Sequence, residues 1–283
     1  MPSRRKNLTG AAIERRIKAG RGRGEGRNYL PWFDTTDLPS KGTSVQWYSP
    51  KLQRIHHVLS QGEYHYLLLL TYDSQVIDIR EQFPLKLTDT QAIAESLGYR
   101  HPNERGEVVV MTTDFLLTIA HGHATRLVAR TCKQASGLCS KRLFEKFEIE
   151  RQYWAARGID WGIVVTDRDV PDDTWRNIEW ILEVWDIEHL EPMTRSEITQ
   201  VADFLVCAVK KVKVATLSRL CSESDERLNQ PPGTGLRMAR FLFAKRVFLA
   251  DLNLEISPDK PVSITVQPER LKGIFSGSTT SHD

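Results

Sequence analysis

The chain has 283 residues, of which 40% are hydrophobic and 27% charged, proportions typical of a soluble globular protein with a main domain and a smaller one. No apolar run approaches the roughly 20 residues that a helix needs to cross a bilayer, and the basic start lacks the apolar stretch of a signal peptide. The four cysteines (Cys132, Cys139, Cys207 and Cys221) lack CxxC spacing, which argues against a disulfide framework or a structural zinc site. We therefore expect a cytoplasmic protein without a membrane partner.

Positive charge is concentrated at the start of the chain. Residues 1–28 contain nine Lys or Arg against Glu14 and Glu25, so this segment carries +7 and the remainder −4. Because a basic, glycine-interrupted segment cannot bury itself, we predict an N-terminal arm over residues 1–28. The arm suits a nucleic-acid backbone, although a solubilising tail would have the same composition. The candidate DNA-binding residues are Arg15, Arg16, Lys18, Arg21, Arg23 and Arg27.

Hydrophobic patterning predicts alternating helices and strands in the first part of the chain. A short helix occupies residues 11–20, and the Pro- and aromatic-rich segment 29–50 is predicted as irregular chain. The further elements are a helix over 57–72, a strand over 75–85, an inserted helix and loop over 86–106, strands over 107–119 and 125–133, a helix over 138–158 and a strand over 159–167. This order is that of the α/β restriction-endonuclease-like core (αβββαβ), a mixed sheet with helices on both faces, which we assign to residues 29–170.

The pattern beyond Val170 is mainly helical. The predicted helices cover residues 174–185, 194–213, 216–224 and 235–252, and two strand-like runs within 253–266 are predicted to form a hairpin. Three short helices followed by a hairpin are typical of a winged-helix domain, in which a basic helix enters a DNA groove. We therefore predict a helical, winged-helix-like domain over 171–270 and a flexible tail over 271–283.

Three side chains of the first domain have the types that phosphodiester hydrolysis requires. Asp114 and Lys133 belong to the strands on either side of the turn at 121–123, and strands joined by a short turn pair antiparallel, so both side chains can share one sheet edge. Glu63 adds a second carboxylate from the preceding helix. The two carboxylates and the backbone carbonyl of Cys132 can hold Mg²⁺, while Lys133 places a cation beside the phosphate oxygens. The set predicts a metal-dependent nuclease.

Each of these residues also has an ordinary structural interpretation. An aspartate after two threonines often caps a turn, a lysine at a strand end often protects a sheet edge, and a glutamate early in a helix is favoured by the helix dipole. The eight histidines occur without an HExxH frame. The nuclease hypothesis therefore depends on finding all three residues in the right order of elements.

Several segments resemble the TnsA family, the endonuclease subunits of heteromeric cut-and-paste transposases of bacteria. The resemblance covers residues 11–185 and includes the stretches IERRIKAGRGRGEGRNYLPW, YSPKLQRIHHVLSQGEYHYLLLL, VIDIREQFPL, FEKFEIERQYW and NIEWI. It implies a restriction-endonuclease-like catalytic domain that cuts the 5′ strands at the transposon ends. It also implies three partners: transposon-end DNA, the DDE transposase subunit TnsB, which cuts and joins the 3′ ends, and the regulatory ATPase TnsC.

The resemblance also implies roles for individual residues. Glu63 and Asp114 match the metal-binding carboxylates of the family, which hold Mg²⁺, with Mn²⁺ as an alternative. Lys133 matches the catalytic lysine, and Asp73 and Glu150 match acidic positions that support the site.

The sequence departs from the family pattern beside the lysine. Thr131 stands where the family often has Gln or an acid, and one extra residue lies between Asp114 and Lys133. Because the Thr131 hydroxyl is a poor metal ligand, a second metal position beside it lacks one protein ligand. The number of metal ions that the site holds, one or two, therefore stays open. Two other functions remain open from the sequence: a stand-alone restriction or repair nuclease, and a DNA-binding adaptor whose nuclease site has weakened.

Overall fold

The computed structural model describes residues 10–37, 43–104, 106–211 and 215–276. These residues form two compact units, which divide between Val170 and Pro171. No helix in the described ranges is both long and apolar enough to span a membrane. The helices of the first unit are α1 (Gly10–Lys18), α2 (Gln61–Tyr72), α3 (Leu87–Ser96), α4 (Lys141–Ala155) and α5 (Thr166–Asp169), and its strands are β1 (Val45–Ser49), β2 (Arg54–Val58), β3 (Val76–Pro84), β4 (Asn103–Glu104), β5 (Glu107–Val108), β6 (Thr112–His121), β7 (Ala124–Lys133) and β8 (Asp160–Val165).

A four-stranded mixed sheet in the order β3-β6-β7-β8 forms the centre of the first unit. Strands β3, β6 and β7 are antiparallel neighbours, whereas β8 is parallel to β7 and is reached through the crossover helix α4. Strands β6 and β7 are joined by Gly122 and His123, and the positive φ of Gly122 (61°) suits this two-residue turn. The mixed sheet expected from the sequence is therefore confirmed.

Helices cover both faces of this sheet. On one face, Leu116 and Ala129 pack in a cluster with Ile149 and Trp154 of α4. Adjacent residues of a strand point to opposite faces, and Phe115 indeed contacts Tyr66 of α2, with ring centroids 5.7 Å apart. The alternation therefore places α2 and α4 on opposite faces.

The segment before α2 differs from its sequence-based prediction. The sequence predicts irregular chain over residues 45–49 and helix over 57–58, but β1 and β2 form an antiparallel hairpin. The helix begins only at Gln61, because the Ser60 side chain accepts a hydrogen bond from the backbone N–H of Glu63 and caps the first turn. The Pro- and Ser-rich composition concealed a strand whose residues alternate between partly buried and exposed.

None of residues 10–28 is buried, as the sequence predicts, but the segment docks on the rest of the unit through ion pairs and hydrogen bonds. The Arg16 guanidinium donates to the Asp37 carboxylate at 3.0 Å and to the Trp32 carbonyl at 2.9 Å. Arg21 donates to the Asp34 carboxylate at 2.8 Å. Net charge could not show this docking, because the neutralising aspartates lie outside the basic segment.

The glycines of this segment permit close packing. Gly22 has a φ of +77°, and a Cβ atom there would lie 2.2 Å from Cγ of Pro84 in β3. The N–H of Gly26 donates to Asp78 of the same strand at 3.2 Å. The side chains of Arg15, Lys18, Arg23 and Arg27 remain exposed. The rest of the predicted arm, residues 1–9, lies outside the described ranges.

The second unit is mainly helical, with two short strand pairs. Its helices are α6 (Asp172–Leu182), α7 (Arg195–Lys211), α8 (Leu217–Arg227), α9 (Thr234–Ala244) and α10 (Pro268–Ser276), and its strands are β9 (Ala215–Thr216), β10 (Phe248–Leu249), β11 (Pro261–Val262) and β12 (Thr265–Val266). The hairpin predicted within 253–266 is wrong, since β11 pairs with β9 and β12 pairs with β10.

The boundaries of two C-terminal elements also differ from the predictions. Helix α9 ends at Ala244, well before the predicted end at residue 252, because Arg246 adopts a positive φ of 56°. The flexible tail predicted from residue 271 is wrong for residues 271–276, since α10 extends to Ser276 and buries Leu271. Residues 277–283 lie outside the described ranges.

The basic helix that is expected to enter a DNA groove is α9, and its arginines are engaged within the unit. Arg237 donates to the carbonyls of Leu190 and Glu191, and Arg240 donates to the Trp180 carbonyl. Most of the helix is buried, including the consecutive residues 241–244. The positive charges of α9 thus hold the helix in place, and this expectation is corrected.

A buried ion pair joins β2 to β3. Glu81 is fully buried and accepts two hydrogen bonds from Arg54, at 2.8 and 2.5 Å, and one from the backbone N–H of His57. Its Oε2 also lies 2.9 Å from Nδ1 of His56. Burial alone would raise the pKa of Glu81, but its contacts with His56 and the hydrogen bonds and charge of Arg54 hold this pKa far below its usual value. Burial lowers the pKa of His56, so Arg54 is the partner that is charged at neutral pH.

We predict that Arg54→Ala lowers the free energy of unfolding by about 3–5 kcal/mol at pH 7, because it leaves a buried carboxylate without its partner. Arg15→Ala, an exposed arginine, is the control and should change stability by less than about 0.5 kcal/mol. Because the folded-state pKa of Glu81 is depressed, its stabilisation is complete above the unfolded pKa of about 4.3 and is lost as the pH falls below it. Thermal unfolding at pH 7 tests the first point, and equal melting temperatures for Arg54→Ala and Arg15→Ala would contradict it. Thermal unfolding of the wild type between pH 5 and pH 2 tests the second, and a melting temperature that does not fall over this range would contradict it.

Candidate active site

The central sheet divides at the end of the β6–β7 pairing. The last paired residues of these two strands are Phe115 and Arg130. Beyond them, β6 continues beside β3 as far as Thr112, and β7 continues beside β8 as far as Lys133. The two central strands therefore separate, and their backbone groups at this end need other partners.

Asp114 supplies one of these partners. Its Oδ2 accepts a hydrogen bond of 2.8 Å from the backbone N–H of Cys132. The same oxygen lies 3.8 Å from Nζ of Lys133. As the sequence predicts, Asp114 and Lys133 lie close together, at the end of the sheet where β6 and β7 separate.

Lys133 remains a cation at neutral pH in this setting. The charge of Asp114 raises the pKa of Lys133 and, together with the charge of Glu63, outweighs the lowering effect of burial. Its side chain is 34% exposed, so the ammonium group is accessible. Lys133 is therefore suited to stabilising negative charge rather than to accepting a proton.

Glu63 lies in the first turn of α2, where protein donors hold its carboxylate. Oε2 accepts from the N–H of Leu59 at 2.9 Å and from the Gln82 amide at 3.3 Å, and Oε1 accepts from the Ser60 hydroxyl at 3.0 Å. Burial and the charge of Asp114 raise the pKa of Glu63 to about 7. Since a carboxylate offers about four acceptor positions, about one remains for a further ligand.

The oxygen atoms at this point fit a divalent cation. Burial, followed by the charge of Asp114, disfavours the charged form of Glu63, and a cation beside both carboxylates would offset both effects. The carbonyl of Cys132 points to the same side of its strand as its N–H, which is the side of Asp114. Carboxylate and carbonyl oxygens are ligands that Mg²⁺ prefers, and Mg²⁺ usually retains several waters.

The thiol of Cys132 is not part of this donor set. Burial, followed by the charges of Asp114 and Glu63, raises its pKa well above the usual value. Across the described ranges, no group of three or more His, Cys, Asp or Glu side chains is arranged to hold a metal ion. The protein's share of a metal shell would therefore be two carboxylates and one backbone carbonyl.

Glu150 and Thr131 form a buried pair behind the two carboxylates. Oε1 of Glu150 accepts a hydrogen bond of 2.6 Å from each of the Thr113 and Thr131 hydroxyls. Burial raises the pKa of Glu150 to about 7, although these two bonds oppose the shift. The Trp161 indole donates to Thr131 at 3.3 Å. The Thr131 hydroxyl is thus committed to Glu150, so Thr131 supports the site by holding this carboxylate.

Asp73 does not join the other predicted residues. It follows the last residue of α2, ten residues after Glu63, which corresponds to about 15 Å along a helix. Its carboxylate is exposed and accepts from the N–H of Gln75 at 2.9 Å. The supporting role expected for Asp73 is therefore corrected, because the helix carries the residue away from the site.

Gln82, which sequence patterning does not single out, lies opposite Asp114 in the structure. It falls between the pairs Glu81–Phe115 and Phe83–Thr113 of the β3–β6 ladder and has a positive φ of 49°. Its side chain donates to Glu63 and accepts from the Thr112 hydroxyl at 3.3 Å. Positive φ is costly for a residue other than glycine and is often found at functional sites. Only the register of the two strands identifies this residue.

A cavity of about 330 Å³ opens at the separated strands. Asp114, Thr131, Lys133 and Glu150 line its polar side, and Lys146 of α4 also reaches it. Apolar side chains form the rest of the wall, among them Phe33, Val110, Met111, Leu143 and Phe147. The cavity thus brings the predicted residues of β6, β7 and α4 together at one surface.

Comparisons with known proteins agree with this arrangement. Residues 73–166 match the family described as TnsA-like endonuclease N terminal, and residues 169–252 match that described as TnsA endonuclease C terminal. The chain is also similar to the Transposon Tn7 transposition protein TnsA of Escherichia coli, with 43% identity over 172 residues. That alignment covers 61% of this chain and 62% of the relative, so the chain spans less than two thirds of the relative's length. The two family matches and this identity show that the chain belongs to the TnsA family.

Proposed function

We propose that this chain is a Mg²⁺-dependent DNA endonuclease that cuts the 5′ strands at transposon ends, in concert with a DDE transposase of the TnsB type. The observation that carries the proposal is the ion pair of Asp114 and Lys133, whose charged atoms lie 3.8 Å apart where β6 and β7 separate, with Glu63 bonded to Gln82, the residue of β3 opposite Asp114. Carboxylates beside an accessible lysine suit hydrolysis of a phosphodiester. The names of the matching families, which describe endonucleases, support the reaction class.

The residues of the site have separable roles in this proposal. Glu63, Asp114 and the Cys132 carbonyl would hold Mg²⁺, which when bound neutralises phosphate oxygens and activates water. Lys133 would stabilise the negative charge that builds on the phosphate during attack. The donors that hold Glu63 and Asp114 fix both carboxylates before any ligand arrives, which keeps the site preorganised.

The second unit supports a further part of the proposal. Its elements follow the order α7, β9, α8, α9, β10, β11 and β12, which is a helix, a strand, two helices and three strands. From this order of elements we propose that the second unit is winged-helix-like. We also propose that its surface docks an ATPase of the TnsC type. Because the α9 arginines are engaged internally, DNA contacts of the protein would come from other residues.

The N-terminal segment is the candidate for such contacts. Arg15, Lys18, Arg23 and Arg27 are exposed, whereas Arg16 and Arg21 are bonded to aspartates. We propose that the four exposed side chains bind DNA phosphates and that the other two hold the segment in place.

The site assignment predicts that Asp114→Ala lowers cleavage of the 5′ strands by at least about 100-fold, because a metal ligand and the partner of Lys133 are lost together. Asp73→Ala is the matched control, since Asp73 is exposed and remote, and it should cleave at the wild-type rate. The measurement is strand cleavage of transposon-end DNA with Mg²⁺ and the DDE subunit. Full activity of Asp114→Ala would refute the assignment, and cleavage by the chain alone at a defined sequence would favour a stand-alone nuclease.

A second prediction separates the exposed basic residues of this segment from those bonded to aspartates. Replacing Arg15, Lys18, Arg23 and Arg27 together by Ala should weaken DNA binding and reduce the slope of log K against log salt by about 0.9 for each phosphate that the variant no longer binds. The melting temperature should stay near that of the wild type. Arg16→Ala should instead lower the melting temperature, because the buried Asp37 carboxylate keeps only the longer contact to Arg21, at 3.8 Å, and the hydrogen bond from the Asp34 N–H. An unchanged salt slope in the four-residue variant would show that these charges only solubilise the segment.

A further inference from the structure

Lys146 has a position that the proposed chemistry does not use. It lies on α4, one turn before Glu150, is half-buried, and lines the same cavity as Asp114 and Lys133. Among the residues that the structure describes, no carboxylate forms an ion pair with its ammonium group.

The acidic groups near Lys146 are already committed to other partners. Glu145 pairs with Arg142 at 2.8 Å, and Glu148 pairs with Arg151 at 2.7 Å. Glu150 is held by the two threonine hydroxyls. The protein itself therefore does not provide the anion that a half-buried cation requires.

The surroundings of Lys146 also favour an anionic ligand. Burial lowers the pKa of Lys146, and the positive charges of Arg142 and Lys133 lower it further. An anion placed in the cavity would interact favourably with Lys146 and Lys133 together. A DNA strand offers one phosphate at each nucleotide, so a strand with one phosphate at Asp114 and Lys133 carries further phosphates past the wall formed by α4.

We propose that Lys146 binds a phosphate of the cut strand that flanks the scissile phosphate. The inference rests on the proposed function, because it takes the scissile phosphate to lie at Asp114 and Lys133. Lys146 acts in substrate binding and orientation, whereas Lys133 acts on the phosphate that reacts.

The test uses variants that keep the packing of the side chain. Lys146→Met retains an unbranched apolar stem and removes the charge, and Lys146→Arg retains the charge. Lys141→Met is the matched control, since Lys141 is an exposed lysine on the same helix. All are measured in the complete cleavage reaction with transposon-end DNA, the DDE subunit and Mg²⁺. The binding of the same DNA is titrated against salt in parallel.

For Lys146→Met we expect kcat/KM to fall about 5- to 10-fold, mainly through KM, and the salt slope of binding to decrease by about 1. Lys146→Arg should recover most of the activity, and Lys141→Met should stay within about 2-fold of the wild type. A scan with neutral methylphosphonate linkages then locates the contact. At one flanking position the neutral linkage should weaken binding by the wild type but not by Lys146→Met.

Equal behaviour of Lys146→Met and Lys141→Met would overturn the inference. A methylphosphonate scan would also overturn the inference if the wild type and Lys146→Met lost the same binding at every flanking position. It would do so too if the two proteins differed only at the scissile position. In these cases cleavage by the wild type would leave the proposed function standing. If the wild type does not cleave transposon-end DNA in the complete reaction, the proposed function fails and the inference fails with it.

Discussion

The hydrogen bond from the Cys132 N–H to the Asp114 carboxylate is the interaction on which the site depends. In a continuous sheet this N–H would bond to a backbone carbonyl of the neighbouring strand. Here the Asp114 side chain accepts the hydrogen bond, so β6 and β7 diverge without leaving this backbone N–H unpaired. The divergence opens the cavity, directs the Cys132 carbonyl towards Asp114, and leaves Lys133 at the strand end beside the carboxylate.

The three buried carboxylates around this opening are held by different donors. Glu63 is held by the capping groups of α2, Asp114 by a strand N–H, and Glu150 by two threonine hydroxyls. Burial opposes ionisation at Glu63 and Glu150, and the charge of Asp114 adds to this effect at both. Fixed acidic groups that repel one another are costly in the free protein. The cation that we propose for this site would be stabilised by the same field.

The order of elements and the closeness of Asp114 to Lys133 could be predicted because both depend on local patterning. Hairpin connection alone brings Asp114 close to Lys133. The remainder depends on tertiary contacts that carry no local signal. The docking of Arg16 requires Asp37, and Gln82 is identified only by its register opposite Asp114. Composition was misleading at β1, where a segment with the residues of a loop forms a strand, and at α9, where positive charge serves packing.

The docking of the N-terminal segment onto β3 changes what its exposed basic residues can do. A flexible arm would lose about 1–2 kcal/mol of conformational entropy for each backbone residue ordered on DNA. Gly22, packed against Pro84, and Gly26, bonded to Asp78, fix the segment before DNA binds. Because β3 pairs with β6, the strand that carries Asp114, the distance from these charges to the cleavage point is set by the fold. If the exposed basic residues bind DNA as proposed, the fold therefore fixes the distance between those phosphate contacts and Asp114.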